Sequence, residues 1–382
     1  MVAGSNSQFD VVIVGLGAVG SAASYHLSKR GMRVIGFDKL VPPHSFGSSH
    51  GDTRIIREAY YEHPLYVPFV QRAYELWGDL EDESGRDLFQ PTGGLMVGPT
   101  EGEVVSGALN SAQTHGLEYE RMSAAEVRQR FPAFRLTDDL EAVWEPRAGV
   151  LFPDGCIEAH LELSMKQGAE FRLDEAVIKW QPNGEGVDVV TAGGKYRGSK
   201  LILAAGAWNT RFLPELKLPL TVERQILFWF EPRDNREVLS AGRLPIFLFE
   251  YSDAGDLFYG FPDNGDGVKV AQYHGGELVD PDTIRREVNQ EEVERMRQPL
   301  RRYLPDAEGA LVKTAVCMYT NTPDYHFLID FHPNHPQVLI ASPCSGHGFK
   351  FSTAIGEVLA DLLTKGRTGF DLSPFSLARF GA

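Results

Sequence analysis

The chain has 382 residues, enough for two or three domains, and its 43% hydrophobic and 23% charged residues allow a large ordinary core. A formal net charge of −15 excludes a nucleic-acid backbone as the main partner, because phosphates need a basic stripe. Three cysteines, Cys156, Cys317 and Cys344, are too few for a disulfide framework and suggest a reducing compartment. Residues 1–10 carry no lysine or arginine and precede no apolar h-region, so no signal peptide is expected. Residues 10–38, DVVIVGLGAVGSAASYHLSKRGMRVIGFD, read as strand, tight turn, helix, strand. The unbroken apolar run at 11–14 predicts a parallel strand buried on both faces. Residues 18–30 predict a helix stopped by Gly31, and 32–37 a second strand. Over 64–82, Phe69, Ala73, Leu76 and Leu80 share one face of an amphipathic helix. Residues 101–131 predict two more helices, the second opened by Ser123 and Glu126 at capping-box spacing and closed by Pro132.

Strand-like segments alternate with turns over 170–206 and end in LILAAG. From 221 to 275 short aromatic strands dominate: ILFWFE, IFLFE, LFYGFP and VKVAQYH. Residues 281–304 read as helical, and 337–363 as strand, glycine-rich turn, helix. No run is long and apolar enough for a membrane span, so the expected location, by elimination, is the cytoplasm. Strands of one type at the start, near 201–206 and near 337–342 bracket the aromatic strands. This order predicts an α/β fold of two domains woven from discontinuous segments. Residues 1–85, 150–220 and 320–382 are assigned to a cofactor domain, and 86–149 and 221–319 to an α+β substrate domain.

Gly15, Gly17 and Gly20 form G-x-G-x-x-G directly after a strand and opening a helix. The first permits the tight turn, the second lets backbone approach a pyrophosphate, and the third lets helix pack on strand. The helix N-terminus offers unpaired N–H groups to the phosphates, and Asp38 ends the next strand, placed for a ribose diol. FAD is favoured over NAD because the motif starts the chain and an apolar strand, LILAAGAW, returns later. A third approach, SGHGFKFS at 345–352, supplies Gly346, Gly348 and a second helix start, with Lys350 adding positive charge where a reduced flavin gathers negative charge.

Four stretches, GSSHGDTRIIREAY (47–60), AVCMYTNTPD (315–324), SGHGFKFS (345–352) and DLSPFSLARF (371–380), carry a resemblance over nearly the whole chain. The sequence resembles the monomeric sarcosine oxidase and N-methyltryptophan oxidase family of flavin amine oxidases. The resemblance implies a glutathione-reductase-type FAD domain interwoven with an antiparallel-sheet substrate domain, as in D-amino-acid oxidase. It implies FAD attached covalently (8α-S-cysteinyl) at Cys317, with Cys344 as the competing cysteine and Cys156 structural. It places Arg57 and Lys350 on a substrate carboxylate, and Arg54 and His50 against the flavin ring. Surface pairing of Arg54 with Asp52 or Glu58 is the alternative. Ser49 stands where close members often carry a second histidine.

Lys269 resembles the lysine that promotes reaction with oxygen, and Tyr259 and His274 resemble pocket residues. From Lys269 to His274 is five residues where the sarcosine-oxidase form has four, so Tyr273 or Gln272 is the alternative to His274. Tyr319 follows Cys317 by two and shares its face on a strand. The implied partners are a small amino-acid substrate and O2, with no nucleic acid, no membrane and a monomeric chain. No metal is expected, since His326, His332, His335 and His347 lack zinc spacing. The implied reaction is oxidation of an N-methyl amino acid such as sarcosine to an imine, then amine and aldehyde, with hydrogen peroxide formed. The alternatives are the same chemistry on N-methyltryptophan or a fructosyl amino acid, a dehydrogenase with another electron acceptor, and a non-catalytic FAD- or NAD-binding module.

Overall fold

The computed structural model describes residues 8–251 and 256–381, so the expectation about residues 1–10 falls largely outside it. The apolar run at the start becomes the strand Gln8–Val14 inside an eight-stranded sheet. It lies parallel to Val34–Phe37 on one side and to Lys195–Leu203 on the other. Val11, Val12 and Ile13 are fully buried, as a parallel strand covered on both faces requires. The helix Ala18–Ser28 supplies one cover and packs against Pro153–Lys166 and Ser352–Lys365. Lys195–Leu203 serves two neighbours along its length. Its first half pairs antiparallel with Gly186–Thr191, and its last residues pair parallel with His335–Ser342. The late segment of the chain is thereby stitched to the early one.

A second eight-stranded sheet runs in the order Leu311–Asn321, Thr221–Phe230, Val268–Tyr273, Leu257–Phe261, Ile246–Glu250, Gly94–Pro99, Leu140–Glu145, Glu120–Ser123. Every pair is antiparallel except Ile246–Glu250 with Gly94–Pro99, one parallel pair in the antiparallel sheet expected. Those two strands are far apart in sequence, so no hairpin dictates their direction. The aromatic strands bury Phe228, Phe230, Phe247, Phe249 and Phe258 against the helix Gln290–Tyr303.

That helix begins at Gln290, not near 281, because Asn289 and Glu292 form a reciprocal cap. Arg224, buried, draws the carbonyls of Arg285 and Glu287 to its guanidinium at 2.7 and 2.9 Å, which holds the preceding segment out of a helix. Val67–Ser84 buries Phe69, Ala73, Leu76 and Leu80, and the Ser123–Glu126 box forms, both as the periodicity predicts. A third sheet of Arg54–Ile56, Gly149–Leu151 and Phe89–Pro91 has no counterpart in the sequence reading. Its strands are three residues each, too short to show a period. No helix among the described residues is long and apolar enough to cross a membrane.

Candidate active site

The sheets enclose a cavity of about 450 Å³, within the range of cofactor and small-molecule sites. The glycine turn and Asp38 line part of it. Gly15 has φ +91°, and a Cβ there comes within 2.5 Å of the Ala204 oxygen. A Cβ at Gly20 lands 1.8 Å from the Gly15 oxygen, so the helix can meet the turn only as glycine. At Gly17 a Cβ finds nothing nearer than the Ser49 hydroxyl at 3.5 Å, which leaves backbone open to the cavity. The helix starting at Ala18 has no cap from the Gly17 position, and only Ser49 Oγ reaches the Ala18 N–H, at 3.3 Å. Asp38 accepts from the Leu16 and Leu40 N–H groups at 2.9 and 3.0 Å, which orients its carboxylate.

Cys317 and Tyr319 both line the cavity from the strand Leu311–Asn321, as the two-residue period requires. Cys317 is buried, with Sγ 3.8 Å from Arg54 Nη2 and 3.5 Å from the Ser48 oxygen. Arg54 donates to the Thr53 and Ser48 carbonyls, both at 2.8 Å. The surface partners considered for it are engaged elsewhere: Asp52 with Lys313 at 2.8 Å and Glu58 with Arg147 at 3.0 Å. Cys344 also lines the cavity, and burial pushes its thiol up to about 11. Cys156 is packed in the helical core, its thiol raised by burial.

His50, Lys269 and His274 stand behind the lining residues. His50 is buried, with no partner at Nε2. Burial, then Arg54, Arg286 and Lys269, pull its pKa down to about 3, so it is neutral. Lys269 Nζ donates to the Gly51 oxygen at 2.6 Å and to Thr53 O and Oγ1 at 2.7 and 3.0 Å. His274, at φ +60°, bonds Glu223 at 3.1 Å and faces Tyr319 across 5.3 Å. Of its alternatives, Tyr273 lines the cavity, whereas Gln272 accepts from Tyr251 at 3.2 Å. Tyr259 lines the cavity as well, its hydroxyl 3.3 Å from that of Tyr319.

Arg57 is 1% exposed, and its Nη2 is held by both Glu62 oxygens at 2.8 and 2.6 Å. It lies over the rings of Tyr60 and Tyr61 at 4.3 and 4.8 Å, and its Nε has no acceptor. Burial opposes the Glu62 charge, but Arg57, His347 and Lys350 outweigh it and hold the carboxyl below its ordinary range. Lys350, also buried, donates to the His347 carbonyl at 3.0 Å and the Tyr60 hydroxyl at 3.4 Å. Glu145, 1% exposed, accepts from the Glu58 and Ala59 N–H groups at 2.6 and 2.7 Å and so anchors the segment that carries Arg57, Tyr60 and Glu62. Glu62, Glu145, Tyr60 and His347 had no assigned role in the sequence reading.

Residues 10–362 match the family described as DAO, FAD dependent oxidoreductase. The chain belongs to this family. It is 42% identical to the monomeric sarcosine oxidase of Streptomyces avermitilis over 98% of each chain. It is 36% identical to the N-methyl-L-tryptophan oxidase of Yersinia pestis, covering 97% of this chain and 99% of that one. Its fold is similar to that of NikD, an unusual amino acid oxidase essential for nikkomycin biosynthesis, with TM-score 0.84, 25% identity and coverage of 97% and 98%. The cavity suits the FAD of an FAD-dependent oxidoreductase. The open face of Gly17, the helix start met only by Ser49 and the oriented Asp38 fit a dinucleotide. The buried Ser48 hydroxyl, which lines the cavity, lacks a partner, as a group waiting for a ligand does.

Proposed function

We propose that the chain is an FAD-dependent amine oxidase acting on a secondary amino acid of the N-methyl type, such as sarcosine. The C–N bond is oxidised to an imine, which water converts to an amine and an aldehyde, while O2 is reduced to hydrogen peroxide. One observation carries this: two buried basic side chains, Arg57 and Lys350, lie at the cavity wall with Tyr259 and Tyr319. An arginine and a lysine set together in a cavity wall select a carboxylate. The higher identity to a sarcosine oxidase than to an N-methyltryptophan oxidase, 42% against 36%, supports the smaller substrate.

Bound FAD supplies the two-electron acceptor and its return to the oxidised state with O2. The chain supplies orientation and charge. Arg57, whose Nε is unpartnered, holds the substrate carboxylate with Lys350, while Glu62 stays on Nη2. Tyr259 and Tyr319 wall in the N-methyl group, with His274 packed behind Tyr319. Arg54 keeps a positive charge beside Cys317, where it would offset negative charge gathered on a bound flavin, and neutral His50 fills the space behind. Cys317 would hold the cofactor through a thioether, the two electrons of that coupling passing to the flavin and on to O2. Lys269 provides a charge that stabilises the negative charge O2 acquires. The chain acts as a cytoplasmic monomer.

Peroxide release should be measured with sarcosine, N-methyl aromatic amino acids, proline, pipecolate and fructosyl amino acids. Sarcosine should give the highest kcat/KM. Preference for a bulky substrate moves the assignment to the larger-substrate class, and turnover with a dye but without peroxide makes the protein a dehydrogenase. Acid precipitation should carry the yellow colour into the pellet, and Cys317→Ser should release it. Colour retained by Cys317→Ser reassigns the attachment to Cys344.

A further inference from the structure

An amino-acid substrate arrives with an ammonium group, which has no lone pair to donate. Its proton must leave before the nitrogen can give electrons, so an acceptor beside the bound substrate is needed. Asp38 is bound by two N–H groups at the dinucleotide turn, and Glu62 has both oxygens on Arg57. His347 has both nitrogens committed: Nε2 lies 3.1 Å from the Tyr325 carbonyl and Nδ1 2.6 Å from the Tyr60 hydroxyl. A carbonyl only accepts, so Nε2 bears the hydrogen and Tyr60 donates to Nδ1. The Tyr60 oxygen is then left to accept from Lys350, and the His347 carbonyl takes a second N–H from it. Two acceptors match the two N–H bonds of a neutral amine and leave its lone pair free.

We propose that Lys350 takes the proton from the substrate's ammonium group as the substrate carboxylate settles between Lys350 and Arg57. This rests on the amino-acid oxidase reading above. An ammonium N–H bond breaks, its electron pair stays on the substrate nitrogen, and the Nζ lone pair forms the new N–H bond. No redox change occurs in this step. The carboxylate drives it, because it brings the negative partner that Lys350 lacks. Burial first, then Arg57 and Arg54, lower the Lys350 pKa to about 7, with Glu62 pulling the other way. Tyr60 and His347, the remaining titratable groups against it, are neutral: burial raises the first and lowers the second. Trp77 Nε1 donates to the Lys350 carbonyl at 3.0 Å and fixes the backbone that presents the amine.

The test uses FAD-loaded enzyme and acetate, a carboxylate that brings no ammonium proton. Binding is followed by flavin absorbance and proton uptake by an indicator dye in weak buffer. Above about pH 8 each bound acetate should take up close to one proton, and its Kd should rise about tenfold per pH unit. Lys350→Arg, which stays charged, should bind acetate with no uptake and a flat Kd, while Glu62→Gln should keep the uptake. Wild-type binding without uptake overturns the proposal, and so does uptake that survives in Lys350→Arg or vanishes in Glu62→Gln. Acetate that fails to bind in competition with sarcosine removes the carboxylate site itself, a separate result that overturns the amino-acid reading.

Discussion

Two buried lysines at the site, Lys350 in the cavity wall and Lys269 behind it, have different surroundings. Lys269 has three oxygens within 3.0 Å and lies over the rings of Phe261 and Trp229 at 4.5 and 5.4 Å. Lys350 has two acceptors, at 3.0 and 3.4 Å. Burial lowers the pKa of both, well below the ordinary value for Lys269 and to about 7 for Lys350, with Arg54 pressing further on the first and Arg57 on the second, so desolvation alone would make Lys269 the readier of the two to lose its proton. The acceptor count separates them. Three oxygens can take all three N–H bonds of an ammonium and two ring faces attract its charge, so the Lys269 cage favours the charged form against its desolvation. Lys350 has no such cage and can exchange its proton. Burial alone does not decide what a lysine does; the number of oxygens around it does.

The largest effect expected is on oxygen. Lys269→Met should slow reoxidation of the reduced enzyme by about 10²–10³-fold, the usual cost of removing a preorganised charge. Anaerobic reduction by substrate should stay near wild type. Lys350→Met should do the reverse: KM for the substrate should rise about a hundredfold, as when one partner of a desolvated charge pair is truncated. Its reoxidation should be unchanged. Stopped-flow measurement of the two half-reactions checks both. If the two variants slow the same half-reaction, the division between a fixed charge and an exchanging one is wrong.

Sequence and structure agree where sterics act on near neighbours. The glycine turn was legible because Gly15 and Gly20 are each forced by a backbone contact. Tyr319 was legible because a strand repeats every two residues. The Arg57–Glu62 pair was not, since it lies in a loop with no period to place one side chain against the other. His274 illustrates the same limit. At 274 the backbone turns left-handed, and Tyr273, the last residue of its strand, lines the cavity where His274 does not. Glu145 did leave a trace: an acid closing the otherwise mostly apolar LEAVWE strand, at a fully buried position. Its purpose could not be read there, because its partners are backbone N–H groups 86 and 87 residues away in sequence.

Glu145 offers the smallest of these effects and the finest test of the comparison. Burial pushes its pKa from an ordinary 4.5 up to about 7, even though two N–H groups pull it down. The folded carboxyl therefore binds its proton more tightly than the unfolded one. Its stability cost appears as pH rises from the unfolded value through the folded one, and is complete above about 7, on the order of 3 kcal/mol. Glu145→Gln should flatten the pH dependence of Tm across that window. It also places an amide N–H against a backbone N–H, which loosens residues 57–62 and should raise KM by about tenfold. The acid limb of kcat/KM has two owners in wild type: Lys350, which cannot accept a proton once charged, and Glu145, which lets go of the Arg57 segment once neutral. Removing Glu145 should leave one. The limb should become shallower in Glu145→Gln, from a dependence on two protons to one, and an unchanged steep limb would show that Glu145 does not position Arg57.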